Sequence, residues 1–174
     1  TDRVSQSRFT NEYSYHHGYY DAVEREFRGF ARVEQRDSEV YEHFVKETTV
    51  AGAANAVEKD LYQPVVITKT WFHTGAFMDR ESIFHQLTDE YYESKYRLHE
   101  VSMPDHLTAG ELIEFCRALK GSVMRQEIYS EEGSGQVNRH PYRSTQNNYE
   151  VQLLQPRGEQ KHASFLSREK ETLS

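Results

Sequence analysis

The sequence contains a single cysteine, Cys116, so no disulfide can form within the chain. One cysteine also excludes a zinc site built from several thiolates. Cys116 lies among apolar residues with helical spacing, where we expect a small buried side chain rather than a nucleophile. The cysteine content therefore predicts neither a disulfide framework nor thiol chemistry.

Long apolar runs and an excess of positive charge are also lacking. Hydrophobic residues make up 36% of the 174-residue chain. No run approaches the ~20 apolar residues that a membrane-spanning helix needs. The formal net charge is -7, whereas a nucleic-acid-binding domain typically carries a basic stripe. We therefore predict no nucleic-acid partner and no membrane contact for this segment.

Aromatic residues are plentiful, with 12 Tyr and 9 Phe against one Trp. A tyrosine suits a half-buried β surface, because the ring is covered while the hydroxyl stays in water. Aliphatic residues are sparse, so the core must rely on these rings. We expect a mainly β fold with a few helices (α+β), whose antiparallel sheet packs against further sheets outside the chain.

Residues 13–36 predict a β-hairpin, because apolar and polar side chains alternate on both sides of a turn at Asp21 and Ala22. Strict alternation would place Tyr15 and His17 on one face of the first strand. The glycines within the two strands, Gly18 and Gly29, indicate a bulge or a close backbone approach.

The same alternation governs the second strand of this hairpin. It would place Phe27 and Phe30 on opposite faces of the strand. The tyrosines and phenylalanines of residues 13–30 would then occur on both faces of the hairpin.

The chain divides into a hairpin region at residues 1–45, a variable excursion at 46–63 and a strand–helix–helix–strands region at 64–174. The excursion is rich in Ala, Gly, Thr and Glu, and a short helix is predicted at residues 53–61. Because the chain opens with Thr1 rather than Met, we expect residues 1–174 to be one segment excised from a longer polypeptide.

Strands are predicted at residues 65–72, 122–130, 147–155 and 163–166 from β-branched residues and alternation. A helix is predicted after Asp79, whose side chain can cap it, and it is expected to run toward Tyr91.

A second helix begins with a capping box formed by Thr108 and Glu111. Gly121 is placed to end it. An apolar stripe lies between these signals, at Leu112, Phe115, Cys116 and Leu119.

Nine histidines raise the hypothesis of a metal site. His16 and His17 with Asp21 offer suitable ligands, but adjacent strand residues point to opposite faces and do not easily share one ion. His73 and His85 form a second, weaker pair. No HExxH or Cys/His spacing is present, so we predict packed or solvated histidines and neither a metal nor a cofactor.

The acidic residues of the hairpin alternate with arginines, which favours ion pairing across the strands on a solvated face. A glycosidase would instead need two carboxylates in one cleft. Nucleophile-elbow and P-loop patterns are also missing, so we predict no enzymatic activity. Exposed tyrosines can stack on sugars, which leaves a carbohydrate- or protein-binding module as the alternative.

Three separate blocks resemble the B component of bacterial insecticidal toxin complexes (TcdB/TcaC-like). They lie at residues 18–30, 70–75 and 117–151, in the order of the family. The first block is also similar to proteins that join a Salmonella virulence plasmid B-type (SpvB) domain to Rhs repeats, and Tyr20-Asp21 resembles the YD dipeptide of those repeats. The positions that carry the resemblance are Gly18, Tyr19, Tyr20, Asp21, Glu24, Arg25, Phe27, Arg28, Gly29, Phe30, Trp71, His73, Gly75, Leu119, Gly121, Arg125, Tyr129, Pro141, Tyr142 and Tyr149.

This resemblance implies a non-catalytic structural segment from the middle region of the B component, between a propeller and Rhs repeats. Such a segment helps to build a larger Rhs/YD-type β shell, which encapsulates and delivers a toxic C-terminal cargo. The implied partners are the remainder of the parent chain, with its propeller and Rhs-like region, and the toxin C component. The parent protein would be secreted, and the family-motif positions would have structural roles.

Overall fold

A computed structural model describes residues 9–39, 64–92, 97–132 and 136–174 of the chain. Its strands are β1 (Phe9–Asp21), β2 (Glu26–Glu39), β3 (Val66–Phe72), β4 (Val123–Glu132), β5 (Gln136–Val137), β6 (Arg143–Gln155) and β7 (Ser164–Leu173). Helices α1 (Arg80–Asp89) and α2 (Ala109–Ala118) lie between β3 and β4. The predicted excursion at residues 46–63, with its short helix at 53–61, falls outside the described residues.

The strands of these described ranges form one antiparallel sheet in the order β1-β2-β3-β4-β6-β7, with β5 paired to β4. Apart from the short β5, strands that follow one another in sequence are thus neighbours in the sheet, and helices α1 and α2 lie in the connection between β3 and β4. The prediction of a mainly β, antiparallel fold with a few helices is confirmed.

The predicted hairpin is formed by β1 and β2, and it contains a bulge at Gly29. Tyr19 pairs with Gly29, but the next residue, Tyr20, pairs with Phe27, so β2 contributes one extra residue. Gly29 adopts a φ of 101°, which only glycine accepts without strain. The extra residue shifts its neighbours to the other face of β2, and the rings of Phe27 and Phe30 lie 5.3 Å apart. The predicted glycine bulge is confirmed, whereas the opposite-face assignment of the two phenylalanines is wrong.

The first strand of the hairpin departs from alternation at His17, which has a φ of 54°. Its ring Nε2 lies 2.6 Å from Glu90 Oε1 beyond the end of α1. Tyr15 instead packs against Phe30, with 5.0 Å between the ring centroids. The predicted common face for Tyr15 and His17 is therefore wrong, because the left-handed residue interrupts the period of two.

The two predicted helices are present but begin differently. Asp79 precedes α1 with a φ of 58°, and its side chain accepts no capping hydrogen bond, so the predicted cap is wrong. The helix also ends at Asp89, before Tyr91. The capping box of α2 is confirmed, because Thr108 Oγ1 accepts from the Glu111 amide and Glu111 Oε2 accepts from the Thr108 amide.

The later strands are longer than predicted. β6 begins at Arg143 rather than at residue 147, and β7 extends to Leu173 rather than to 166. Their outer parts are polar, so hydrophobic alternation did not mark them. They pair through the backbone, as in the ladder between Asn147 and Thr172.

Two apolar clusters hold the helices on the sheet. The first contains Ala31, Trp71, Leu87, Tyr91 and Met124. The second contains Phe115, Cys116, Leu119 and Val151. The burial of Cys116 confirms its predicted role as a small core residue.

Candidate functional site

The hairpin turn is organised by Asp21. Its Oδ1 accepts hydrogen bonds from the amides of Val23 and Glu24 at 3.0 and 3.1 Å, and its Oδ2 accepts from Arg28 Nη2 at 2.9 Å. The bond from the Glu24 amide is the main reason why the pKa of Asp21 is lowered. Arg25 closes the turn in the left-handed region with a φ of 53°. Asp21 thus acts as a turn-forming group.

Ion pairs join this turn to the C-terminal end of α2. Glu24 lies 3.1 Å from Arg117, and Glu26 lies 2.7 Å from Lys120. The prediction of pairing across the hairpin strands on a solvated face is only partly right. One pair, Asp21 with Arg28, does span the hairpin, but the Arg28 side chain is fully buried.

The second and third sequence blocks meet where β3 ends and α2 leads into β4. The amide of His73 donates to the Ser122 carbonyl, and the amide of Gly121 donates to the His73 carbonyl, both at 2.9 Å. Gly75 adopts a φ of 72°, and a Cβ there would lie 3.0 Å from Lys120 Cβ and 3.2 Å from the Cys116 carbonyl oxygen. Glycine is therefore required on grounds of both backbone angle and space.

Trp71 is fully buried and donates from Nε1 to Glu90 Oε2 at 3.2 Å. The same oxygen accepts from Arg32 Nη1 at 2.9 Å, while His17 contacts the other oxygen. Burial acts to raise the pKa of Glu90, but the hydrogen bonds from Trp71 and His17 and the charge of Arg32 lower it overall. We call such a carboxylate, which is held by donors from several elements, a hub. The sequence did not reveal Glu90 as a hub, because its partners on β1 and β2 are 73 and 58 residues away.

A second hub lies on β4. Glu127 accepts from Arg125 Nε at 2.6 Å, from the Tyr92 amide at 2.9 Å and from the Tyr129 hydroxyl. Arg125 also stacks over the ring of Tyr91. Burial and the bond to Glu127 raise the pKa of Tyr129. The spacing of two between these strand residues is the sequence signal that could have identified Glu127.

A third hub ties the β6–β7 loop to α2. The Glu114 carboxylate accepts from Arg157 Nη2 at 3.0 Å, from the Ala163 amide at 2.8 Å, and is 2.8 Å from His162 Nδ1. The bond from Arg157 is the main cause that lowers the pKa of Glu114 to about 2. Gly110 leaves the space for Arg157, because a Cβ there would overlap the guanidinium group.

The remaining family-motif residues surround these contacts. The ring of His73 lies edge-on to Tyr149 at 6.0 Å, and burial lowers the pKa of His73 to about 4. His73 and His85, the weaker of the two histidine pairs considered, belong to no group of three or more possible metal ligands within the described ranges. Leu119 is buried beside α2, and the Tyr142 amide donates to the Ile128 carbonyl after Pro141.

The hairpin positions of the motif form an exposed aromatic cluster. Gly18 lies beneath two rings, because a Cβ there would be 3.3 Å from both Phe27 and Phe30. Tyr20 is 58% exposed, while burial is the main reason why the pKa of Tyr19 is raised. The structure thus brings the first motif block to the end of α2 but leaves its aromatic side in solvent.

The carboxylates of Glu90, Glu114 and Glu127, together with their donors, form what we call the structural centre. A cavity of about 90 Å³ between the helices and the sheet is lined mainly by apolar residues, including Phe84, Phe115 and Met124. Ligand sites typically measure ~300–1,000 Å³, so this cavity is too small for one. Within the described ranges, no group of three or more His, Cys, Asp or Glu residues is arranged to hold a metal ion.

The two helices in the described part of the chain are each 10 residues long. Neither α1 nor α2 is both long and apolar enough to cross a membrane.

Two family models match the sequence. The insecticide toxin TcdB middle/N-terminal region matches residues 1–75, and the insecticide toxin TcdB middle/C-terminal region matches residues 114–174. Together they cover most of the chain, including the three blocks that carry the motif positions. No curated protein sequence matches significantly.

Solved structures give the same result over nearly the whole chain. The TcdB2-TccC3 crystal structure is similar at 27% identity with a TM-score of 0.70, over 98% of this chain and 8% of that one. TcdB2-TccC3 without its hypervariable C-terminal region matches at 28% identity and 0.68, over 97% and 8%. The Tc holotoxin pore of Photorhabdus luminescens matches at 26% identity and 0.66, also over 97% and 8%. The chain therefore spans less than a tenth of the length of these relatives.

Proposed function

Since the chain belongs to the middle region of the TcdB family of insecticide toxins, we propose that it is a non-catalytic structural segment of a toxin B component. In this role it helps to build the β-rich shell that encapsulates and delivers a toxic C-terminal cargo. Its partners are the propeller and Rhs-like parts of the parent chain and a toxin C component. The parent protein acts outside the bacterial cell as a secreted toxin.

One observation carries this proposal: the charged groups of the structural centre are used to connect distant parts of the sheet. Glu90 joins α1 to β1, β2 and β3, and Glu114 joins α2 to the β6–β7 loop. Glu127 accepts three hydrogen bonds and is fully buried. Each of these three carboxylates is held by at least three donors, which supports a role in joining these elements rather than in contact with a substrate.

The names of the similar structures support the choice of partner. One structure is named as TcdB2-TccC3, and another as a Tc holotoxin pore with a substitution in TccC3. By analogy, a C component is the partner that we assign to this chain.

The proposal can be tested in a full B component that contains this chain, co-expressed with its C component. Arg28→Ala removes the buried partner of Asp21, and we expect loss of co-assembly or a cargo that becomes sensitive to protease. Glu150→Ala is the matched control, because it breaks an exposed pair with Arg168. An assembly that protects its cargo equally well with both variants would contradict a structural role for the hairpin.

A carbohydrate- or protein-binding module remains the second candidate, and the exposed hairpin aromatics favour it. Tyr13, Tyr15 and Phe27 are each at least half exposed, so their rings are available for stacking. Binding of the chain to a glycan array, abolished by Tyr15→Ala, would favour this candidate. Absence of binding, together with co-assembly on a C component, would favour the shell.

A further inference from the structure

The loop between β6 and β7 spans residues 156–163 and carries two residues that trypsin-like proteases recognise, Arg157 and Lys161. Residues 158–162 are exposed and belong to no helix or strand. Exposed loops of this kind are preferred sites of proteolytic nicking. Although the two basic residues lie in one loop, the chain holds them in different ways.

Arg157 is bound through its side chain and through its backbone. Its Nε and Nη2 donate to the two carboxylate oxygens of Glu114 at 3.2 and 3.0 Å. Its amide donates to Glu111 Oε1 at 3.0 Å, and its carbonyl accepts from the Gln160 amide. We call Glu111 and Glu114, which both lie on α2, the clasp.

The clasp occupies the groups that a protease must bind. A trypsin-like enzyme takes the basic side chain onto a carboxylate in its specificity pocket and attacks the carbonyl of that residue. The Arg157 side chain is 40% exposed, so its bonds rather than burial withhold it. A two-bond contact between a guanidinium group and a carboxylate is among the stronger hydrogen-bonded arrangements. Cleavage after Arg157 therefore requires that the loop first leave α2.

Lys161 is exposed and lies between the residues that anchor the loop. After it in sequence, the Ala163 amide donates to Glu114 Oε2 at 2.8 Å, and His162 Nδ1 lies 2.8 Å from Glu114 Oε1. Before it, Arg157 binds the same carboxylate. Glu114 thus holds the chain on both sides of the peptide bond that follows Lys161.

These anchors determine what a cut after Lys161 would do. Hydrolysis adds one water molecule and leaves a carboxylate on Lys161 and an ammonium group on His162. The bonds that hold the loop on α2 do not include the broken one. Strand β7 also stays in place through its ladder with β6 and through Phe165, whose ring packs edge-on against Phe115 at 6.1 Å. The sheet therefore keeps its contacts after the cut.

We propose that the bond after Lys161 is a site at which trypsin-like proteases nick this segment without dismantling it. The clasp withholds the bond after Arg157 and keeps the two ends of the nicked loop on α2. This inference goes beyond the proposed function, because it concerns the fate of the chain among proteases. A secreted protein meets such enzymes, and a nick at this position leaves its sheet assembled.

The site can be tested by digesting the full B component with trypsin under native conditions. Mass spectrometry of new N-termini identifies the two cuts, since His162 begins the fragment from one and Gly158 the fragment from the other. We expect the His162 terminus to form roughly tenfold faster than the Gly158 terminus. Gel filtration should keep the nicked halves in one peak, and Lys161→Gln should abolish the His162 terminus.

Three results would overturn the inference. The first is a parent protein in which no His162 terminus forms. The second is equal rates for the two cuts, because the clasp would then withhold nothing. The third is a nicked protein that loses β7 from the gel-filtration peak.

The clasp is tested by Glu114→Gln, which keeps the size of the side chain but removes its charge. We expect the cut after Arg157 to become roughly fivefold faster, and β7 to be digested once the loop is nicked. Glu90→Ala is the matched control, because it removes a carboxylate hub at another part of the sheet. It should leave the ratio of the two cuts unchanged. An equal change of that ratio in both variants would mean that overall stability, and not the clasp, shields Arg157.

Assembly with the C component separates this inference from the proposed function. The nicked B component should still bind its C component, as the uncut protein does. An uncut B component that fails to assemble would contradict the proposed function and leave the nick site standing. Normal assembly of the uncut protein, with loss of assembly on nicking, would overturn the tolerance that we infer.

Discussion

Helices α1 and α2 have the same length but are stabilised by different means. α2 carries its own signal: a reciprocal capping box, a basic last turn and a buried stripe that includes Phe115 and Cys116. In α1 no side chain caps the first turn, and only Leu87 is buried. Short helices are marginal in water without packing. α1 therefore depends on the packing of Leu87, Ile83 and Phe84 against the cluster of Trp71, and on contacts made just beyond its own end.

Those contacts are made by the residues just after α1. Glu90 accepts from Trp71 and Arg32, and Tyr91 packs edge-on against the Trp71 ring at 5.0 Å. The comparison teaches that α2 is specified by its own sequence. α1 is held instead by the Glu90 carboxylate, which accepts hydrogen bonds from side chains of the sheet.

The largest test of this comparison concerns the core of α2. Phe115 is almost completely buried, whereas Leu112 of the same stripe is only half-buried. We expect Phe115→Ala to lower the free energy of unfolding by about 3–5 kcal/mol, and Leu112→Ala by about 1–2 kcal/mol. Urea denaturation of the chain measures both. Equal losses would show that α2 packs on the sheet through a different side.

The second test removes the hub that fixes α1. Glu90→Ala leaves the donors of Arg32 and Trp71 without their acceptor, so we expect a loss of about 2–3 kcal/mol. Glu81→Ala, on the exposed side of α1, is the matched control. Trp71 is the only tryptophan in the chain, so its fluorescence reports on this site directly. An unchanged emission spectrum in Glu90→Ala would refute the hub.

Local patterns predicted the fold well, because its hairpin and its strand order depend on neighbours in sequence. The hairpin of residues 13–36 and the box of Thr108 and Glu111 were both visible in the sequence. The sequence did not show which side chains lie on which face of the hairpin. One extra residue near Gly29 reverses the side of every residue beyond it. Asp79 carried a capping signal, but its left-handed backbone prevents the cap from forming.

The structural centre was harder to predict than the fold. The motif positions Trp71 and Arg125 were identified by resemblance, but their acceptors Glu90 and Glu127 were not. Glu90 lies in no local pattern, since most of its contacts cross more than 50 residues. Sequence distance concealed Glu90, whereas Glu127 lies two residues from both Arg125 and Tyr129 and carried a local signal that was not used.

A third test uses pH to isolate the contribution of Glu114, on α2, to stability. The pKa of Glu114 falls from 4.5 to about 2 in the folded protein, mainly through the bond from Arg157. Its contribution to stability is complete above pH 4.5 and is lost as the pH falls toward 2.

Glu114→Gln should therefore destabilise the chain by about 1.5 kcal/mol at pH 7 and by less at about pH 3. Glu150→Gln, in an exposed pair, should have little effect at either pH. Thermal unfolding at the two pH values measures this. If the difference in stability between Glu114→Gln and the parent chain does not shrink in acid, the charge of Glu114 does not stabilise the fold.

The smallest test addresses the two helix starts themselves. Thr108→Ala removes one half of the capping box, so we expect it to lower the free energy of unfolding by about 1 kcal/mol. Asp79→Gly removes a side chain that makes no cap and gives glycine to a position with a φ of 58°. Because glycine adopts that angle without strain, we expect no loss and a gain of up to about 0.5 kcal/mol. The urea midpoints of the two variants measure these changes. A loss of stability with Asp79→Gly as large as that with Thr108→Ala would mean that the Asp79 side chain also stabilises its helix start. The contrast between a capped α2 and an α1 held by Glu90 would then be wrong.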